Sequence, residues 1–163
     1  MTMTKPVVSK FGGSSLADAG QFKKIRYIIE QNPNRRYIVP SAPGKRNPDD
    51  VKVTDLLYAC YDKAKHGEDY TEALEKICGR YQEIIEDLGL HLSLKDELKV
   101  LETSFVRGIG SEYAASRGEY LNGILLAAYL DYEFVDAASV IRFHKDGTLD
   151  AEMTNTLLKE RLG

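Results

Sequence analysis

Cysteine and histidine are scarce in this 163-residue chain, which has two of the first and three of the second. Cys60 and Cys78 form no C-x-x-C pair, and no zinc-site spacing runs through them or through His66, His91 and His144. That argues against a disulfide framework or a structural metal. The cysteines read as buried or semi-buried thiols of a reducing compartment, and the histidines as surface residues. An excess of one charge is lacking too: 22 Lys and Arg face 25 Asp and Glu, for a net charge of −3. Nothing here suits nucleic acid or an anionic membrane, and the pairs Arg35-Arg36 and Lys45-Arg46 are too short to form a patch. They read as solvated turn residues. No run of about 18 apolar residues occurs, and Met1-Thr2-Met3-Thr4-Lys5 lacks the apolar segment of a secretion signal. A cytoplasmic protein is expected. No repeat or low-complexity segment interrupts a chain that is 43% hydrophobic and 29% charged, ordinary for one folded domain with a substantial core.

What is present alternates between short apolar segments and helical periodicity. Pro6-Val7-Val8-Ser9 and Tyr37-Ile38-Val39-Pro40 have β character, and between them Phe22, Ile25, Ile28 and Ile29 recur at helical spacing over 16 to about 31. Ser15 or Asp18 would cap this helix, and Asn32-Pro33-Asn34 stops it. This βαβ pattern predicts a parallel sheet. The segment 41–50, rich in Gly, Pro, Asn and Asp, predicts a loop at the C-terminal end of the second strand, the edge where ligands bind in open α/β sheets. Helical patterns follow over 53–65, 70–88 and 94–105, an excursion from the sheet. The stretch 107–117, with Gly108 and Gly110, leads into a helix carrying Leu121, Ile124, Leu125, Ala128 and Tyr129. Glu133-Phe134-Val135-Asp136 is expected as a third strand, 139–143 as a strand or helical turn, and 151–161 as a helix. That last helix would ordinarily feed another strand, so a truncated domain is expected.

The most specific local feature is Lys10-Phe11-Gly12-Gly13-Ser14-Ser15, which puts a cation, two glycines and two hydroxyls at a strand-to-helix turn. Glycines allow consecutive N–H groups to face one concavity, and a helix N-terminus adds partial positive charge, so the turn suits an anion, phosphate first. It fits neither G-x-x-x-x-G-K-[ST] nor G-x-G-x-x-G, because its lysine precedes the glycines. The same letters also make a plain turn. Likewise Ser41 serves as a turn residue, Thr54 as an N-cap, and Glu119 as a carboxylate favouring a helix start.

Taken together, these segments resemble the aspartate kinases of the amino-acid kinase family. Val7-Val8-Ser9-Lys10-Phe11-Gly12-Gly13-Ser14-Ser15 is similar to the K-F-G-G-T-S signature, with Ser14 where threonine is usual. Ile38-Val39-Pro40-Ser41-Ala42 followed by Thr54-Asp55-Leu56-Leu57 resembles V-V-x-S-A…T-[ND]-L-L. Ser116-Arg117-Gly118-Glu119 resembles the S-x-G-E helix, although Tyr120-Leu121-Asn122 replaces the common R-x-S. Phe134-Val135-Asp136-Ala137 looks like the strand after it.

The resemblance implies the N-terminal, amino-acid-binding part of a three-layer αβα amino-acid kinase fold, mainly a parallel sheet with a helical excursion over about 53–116. It implies that the nucleotide-binding half, with its T-L-G-R-G-G-S-D segment, and the ACT domains are absent. The implied reaction moves the γ-phosphoryl group of ATP, with Mg²⁺ held mainly by the phosphates, to the side-chain carboxylate of L-aspartate. Lys10 would be the catalytic cation, Gly12, Gly13, Ser14 and Ser15 would line the phosphate with it, and Ser41, Thr54 and a buried Glu119 would hold aspartate. The full-length protein would be a homo-oligomer and this chain alone inactive, with an unpaired sheet edge. Two rival readings are a sibling kinase acting on glutamate, acetylglutamate or carbamate, and a non-catalytic phosphate-binding or interaction domain.

Overall fold

The computed structural model describes residues 5–163, so the expectation for Met1 to Thr4 lies outside the described residues. The chain divides into two compact units, one ending at Tyr132 and one over Glu133–Gly163.

The first unit is built on β1 (Val7–Phe11) and β2 (Arg35–Pro40), joined through α1 (Ala19–Glu30). The strands pair in parallel, Ser9 beside Ile38, Lys10 beside Val39 and Phe11 beside Pro40, as the βαβ pattern requires. Side chains alternate across a strand. Phe11 and Ile38 pack against the core, whereas Val8 and Val39 stay 63% and 48% exposed on the face that carries Lys10.

α1 buries Phe22, Ile25 and Ile29, but Ile28 remains largely exposed. At 3.6 residues per turn, Ile28 falls outside the stripe defined by the other three. The helix also starts later than expected. Gly13–Leu16 forms a separate 3-10 turn, and Asp18, not Ser15, caps α1 by accepting from the Gln21 N–H at 2.9 Å.

The excursion comprises α2 (Val53–Lys65), α3 (Thr71–Asp87) and α4 (Lys95–Arg107). Thr54 is not the cap of α2; Lys52 holds that position and Thr54 lies within the first turn. The long α5 (Ser111–Leu130) then runs through the middle of the unit, burying residues on several sides from Ala114 to Tyr129. Gly108 (φ 62°) ends α4 in the left-handed region and Gly110 (φ 139°) opens α5, both backbone states that glycine adopts without strain. The 107–117 segment is therefore only briefly a loop. Ser116-Arg117-Gly118-Glu119 lies about two turns inside α5 instead of at its start.

Phe22, Leu57, Ile77, Tyr81, Leu121 and Leu125 are essentially fully buried, and each such side chain favours folding by about 1.5 to 3 kcal/mol. Cys60 is buried and Cys78 half-buried; burial pushes the Cys60 thiol up to about 11, so it stays protonated.

The second unit contains α6 (Ala137–Val140), capped by Asp136, and α7 (Ala151–Leu162), capped by Asp150. The expected third strand does not form: 132–136 has no regular structure. A strand exists by pairing, and here Asp136 accepts from the Ala138 N–H while Glu133 pairs with Arg161. Residues 137–140 take the helical alternative, and Phe143 forms an isolated antiparallel bridge with Leu149. No helix among the described residues is long and apolar enough to cross a membrane.

Candidate active site

Three segments far apart in sequence cross at Ala42. The Ser41 N–H donates to the Phe11 carbonyl at 3.0 Å, and the Gly44 N–H donates to the Gly13 carbonyl at 2.8 Å, which lays 41–44 directly along the Lys10–Ser15 turn. From the other side, the Ala42 N–H reaches Glu119 Oε1 at 3.4 Å, and Asn122 Nδ2 donates to the Ser41 carbonyl at 2.6 Å. The Val53 N–H donates to the Pro43 carbonyl at 3.2 Å, which ties the start of α2, and so Thr54, to the same loop.

The glycines are needed for close approach rather than for unusual dihedrals. Gly12 has φ −79°, and neither Gly13 nor Gly44 has positive φ. A Cβ on Gly44 would lie 2.6 Å from the Gly13 carbonyl carbon and 2.8 Å from the Ser14 nitrogen; one on Gly13 would lie 3.0 Å from the Ala42 oxygen. Gly118 plays the matching part on α5, where a Cβ would stand 2.7 Å from that of Ala42. Gly12 differs, because a Cβ there would meet only Lys10 Nζ at 4.0 Å. Its missing side chain leaves open space beside that ammonium group. Lys10 and Ser14 are exposed, and Gly12, Gly13 and Ser15 half-buried. Ser15 N–H donates to the Gly12 carbonyl at 3.0 Å, closing the 3-10 turn.

Glu119 is exposed, not buried, because α5 presents it at the rim of the crossing while Gly118 packs inward. Two turns inside α5, it cannot draw on the helix N-terminus. Ser41 and Thr54 are half-buried. Arg117, between Ser116 and Gly118, is stacked between the rings of Tyr113 and Tyr120 at 4.5 and 4.4 Å.

Two further residues come from α3, which carried no site expectation. Tyr81 is 1% exposed and its hydroxyl donates to the Gly118 carbonyl at 2.8 Å. Burial, with Glu119 adding to it, pushes that hydroxyl well above its ordinary range, so it remains a donor. Arg80 is 4% exposed and donates to the Gly44 carbonyl at 2.8 Å and to Asp50. Arg46, expected as a solvated turn residue, bonds both Asp50 and Glu83; Arg35 and Arg36 lie in β2. The hydrogen bond from Arg46, followed by backbone donors and then the Arg80 charge, holds the Asp50 carboxyl well below the usual range. A charged residue inside the stripe Ala73, Ile77, Ile84 was the available sign of Arg80. Asn122, on which no expectation rested, is fully buried with its Oδ1 unpaired.

The amino acid kinase family model matches residues 5–161. This chain belongs to the amino acid kinase family. Among solved structures, Clostridium acetobutylicum aspartate kinase superposes with a TM-score of 0.94 at 48% identity, over 98% of this chain and 37% of that one. Aspartokinase 3 of Bacillus subtilis is 36% identical over 139 residues, covering 82% of this chain and 31% of that protein. Escherichia coli aspartokinase III, in complex with aspartate and ADP, shares the fold with a TM-score of 0.79 at 24% identity. The chain thus spans about a third of the length of these relatives, and its fold is that of amino acid kinases, helix-rich around a small parallel sheet. Within this family member, Lys10, Ser41, Thr54 and Glu119 are brought around one loop crossing.

Proposed function

We propose that this chain is the amino-acid-binding portion of an aspartate kinase, with the nucleotide-binding portion following it in the complete protein. The observation that carries this reading is the crossing at Ala42, where backbone bonds join the Lys10–Ser15 turn to the Ser41 loop and the Ala42 N–H donates to the Glu119 carboxylate. Similarity to the Clostridium enzyme over nearly the whole chain supports it.

An ionised carboxylate needs no general base to attack a phosphoryl group. The task left to the protein is to bring two anions into line and to offset charge on the phosphoryl oxygens. Lys10 supplies a compact positive charge at the sheet's C-terminal edge, and Gly12 keeps the space beside its ammonium group open. Gly13, Ser14 and Ser15 complete the phosphate side. That cradle fits a nucleotide phosphate; Mg²⁺ carried by ATP would further neutralise its oxygens. Glu119, exposed at the rim, pairs with the α-ammonium group of aspartate, which selects an amino acid over a plain dicarboxylate. Ser41 and Thr54 hydrogen-bond the substrate.

The test is ADP release by the complete protein with aspartate, glutamate, acetylglutamate and carbamate as acceptors. Aspartate should be turned over by far the fastest, and this chain alone should release essentially no ADP. Preference for another acceptor, or enzyme-like turnover by the isolated chain, overturns the reading.

A further inference from the structure

The loop 41–52 joins β2 to α2 and carries Ser41 at one end, with Thr54 just beyond the other. Its composition makes it an adaptable segment, and residues 45–49 are exposed. Yet its two shoulders are fastened to a single buried side chain. Arg80 Nη1 donates to the Gly44 carbonyl at 2.8 Å, and Nη2 bonds Asp50 and, at 3.4 Å, the Val51 carbonyl. One planar guanidinium therefore bridges the entry and the exit of the loop, which a lysine ammonium on a flexible stem reproduces poorly.

The Gly44 peptide is held from both sides. Its N–H donates to Gly13 in the Lys10–Ser15 turn and its carbonyl accepts from Arg80, while the next peptide back, Pro43, accepts from Val53 at the start of α2. Releasing Arg80 would let the segment 44–52 swing, and Thr54, which follows it, would lose its register with Lys10 and with Ser41, itself held by Phe11 and Asn122.

On the functional reading above, we propose that Arg80 is a positioning residue for the aspartate site: from α3 it staples loop 41–52 so that Thr54 is held in register with Ser41 and the Lys10 turn. Its guanidinium does not touch substrate. A cavity of about 410 Å³ lined by Arg46, Asp50, Val51, Leu56, Arg80 and Glu83 reaches the staple from outside, so a small cation has a route to the same acceptors.

The experiment uses the complete protein carrying Arg80→Lys and Arg80→Ala, with Gln82→Ala, which removes the exposed Gln82–Glu86 hydrogen bond on the same helix away from the cavity, as control. KM for aspartate should rise about 10- to 100-fold, the scale of a misplaced positioning group, with KM for ATP within about twofold of wild type. Added methylguanidinium should recover much of the loss in Arg80→Ala, while equal sodium chloride should not. A merely structural role predicts a lower melting temperature with unchanged KM for aspartate and no rescue, and that result overturns the proposal. If Arg80→Ala fails to fold, Arg80→Lys decides. Amide exchange needs no catalysis: at Gly44 and Val53 it should accelerate in Arg80→Lys while the α1 amides stay protected. Unchanged exchange there overturns the role of Arg80, whereas an inactive wild-type protein overturns the functional reading.

Discussion

Gly44→Ala isolates the steric basis of the site. The added methyl carbon would stand 2.6 Å from the Gly13 carbonyl carbon, 2.7 Å from its oxygen and 2.8 Å from the Ser14 nitrogen. Carbon atoms in ordinary contact sit about 3.5 to 4.0 Å apart, so the two backbones must separate by about 1 Å. No rotamer relieves this, since every clashing atom is main chain. Overpacking of this kind costs about 1 to 3 kcal/mol, and stretching the 2.8 Å Gly44–Gly13 hydrogen bond adds about 1 kcal/mol. The expected loss is about 2 to 4 kcal/mol of unfolding free energy, read from urea denaturation monitored by tyrosine fluorescence and circular dichroism. Gly12→Ala is the internal comparison. Its methyl group meets only Lys10 Nζ at 4.0 Å, so stability should change by less than about 1 kcal/mol while turnover of the complete protein falls. A Gly44→Ala protein within about 0.5 kcal/mol of wild type refutes the close-approach account, because surface substitutions commonly stay in that range.

Other residues separate charge from scaffold. Lys10→Ala should leave the melting temperature unchanged, Lys10 being exposed, but remove nearly all turnover; retention of about a tenth of wild-type kcat sinks the assignment, since a lost transition-state donor costs about 10²- to 10³-fold. Glu119→Gln keeps an oxygen acceptor for the Ala42 N–H and deletes only the charge. KM for aspartate should rise about 10- to 100-fold, the equivalent of a lost charge-assisted hydrogen bond, and a rise confined to KM for ATP would move Glu119 to the nucleotide side. Asp50 has its pKa depressed in the fold, chiefly by Arg46. Its stabilisation is thus complete above the unfolded carboxylate value of about 3.9 and is lost as pH falls below it toward the folded value. Asp50→Asn should be less stable than wild type at pH 7, with the gap closing in acid melts; a gap independent of pH would contradict the Arg46–Asp50–Arg80 pairing.

The local elements were legible because their causes are local. The period of Phe22, Ile25 and Ile29 specifies α1, the 53–65 pattern coincides with α2 (Val53–Lys65), and the turn residues of 41–50 specify a loop. Where neighbours compete, letters alone left the choice open or placed it wrongly. Asp18 won the cap from Ser15, and α5 started well before the Ser116 motif once Gly108 and Gly110 had made the turn. Residues 133–136 have strand composition but become capping and ion-pairing partners, because a strand requires an edge to pair with.

The candidate site residues could be named from the turn and its companion motifs, since a cation, glycines and hydroxyls in that order already restrict the ligand. How they come together in space could not. Only the tertiary structure decided that Gly13, Gly44 and Gly118 are glycines to let three chain segments touch, that Glu119 stands exposed at a rim, and that Arg80 and Tyr81 of α3 brace the crossing. Backbone preference and hydrophobic period are properties of neighbours along the chain. Contact between residues dozens of positions apart exists only after the helices have packed.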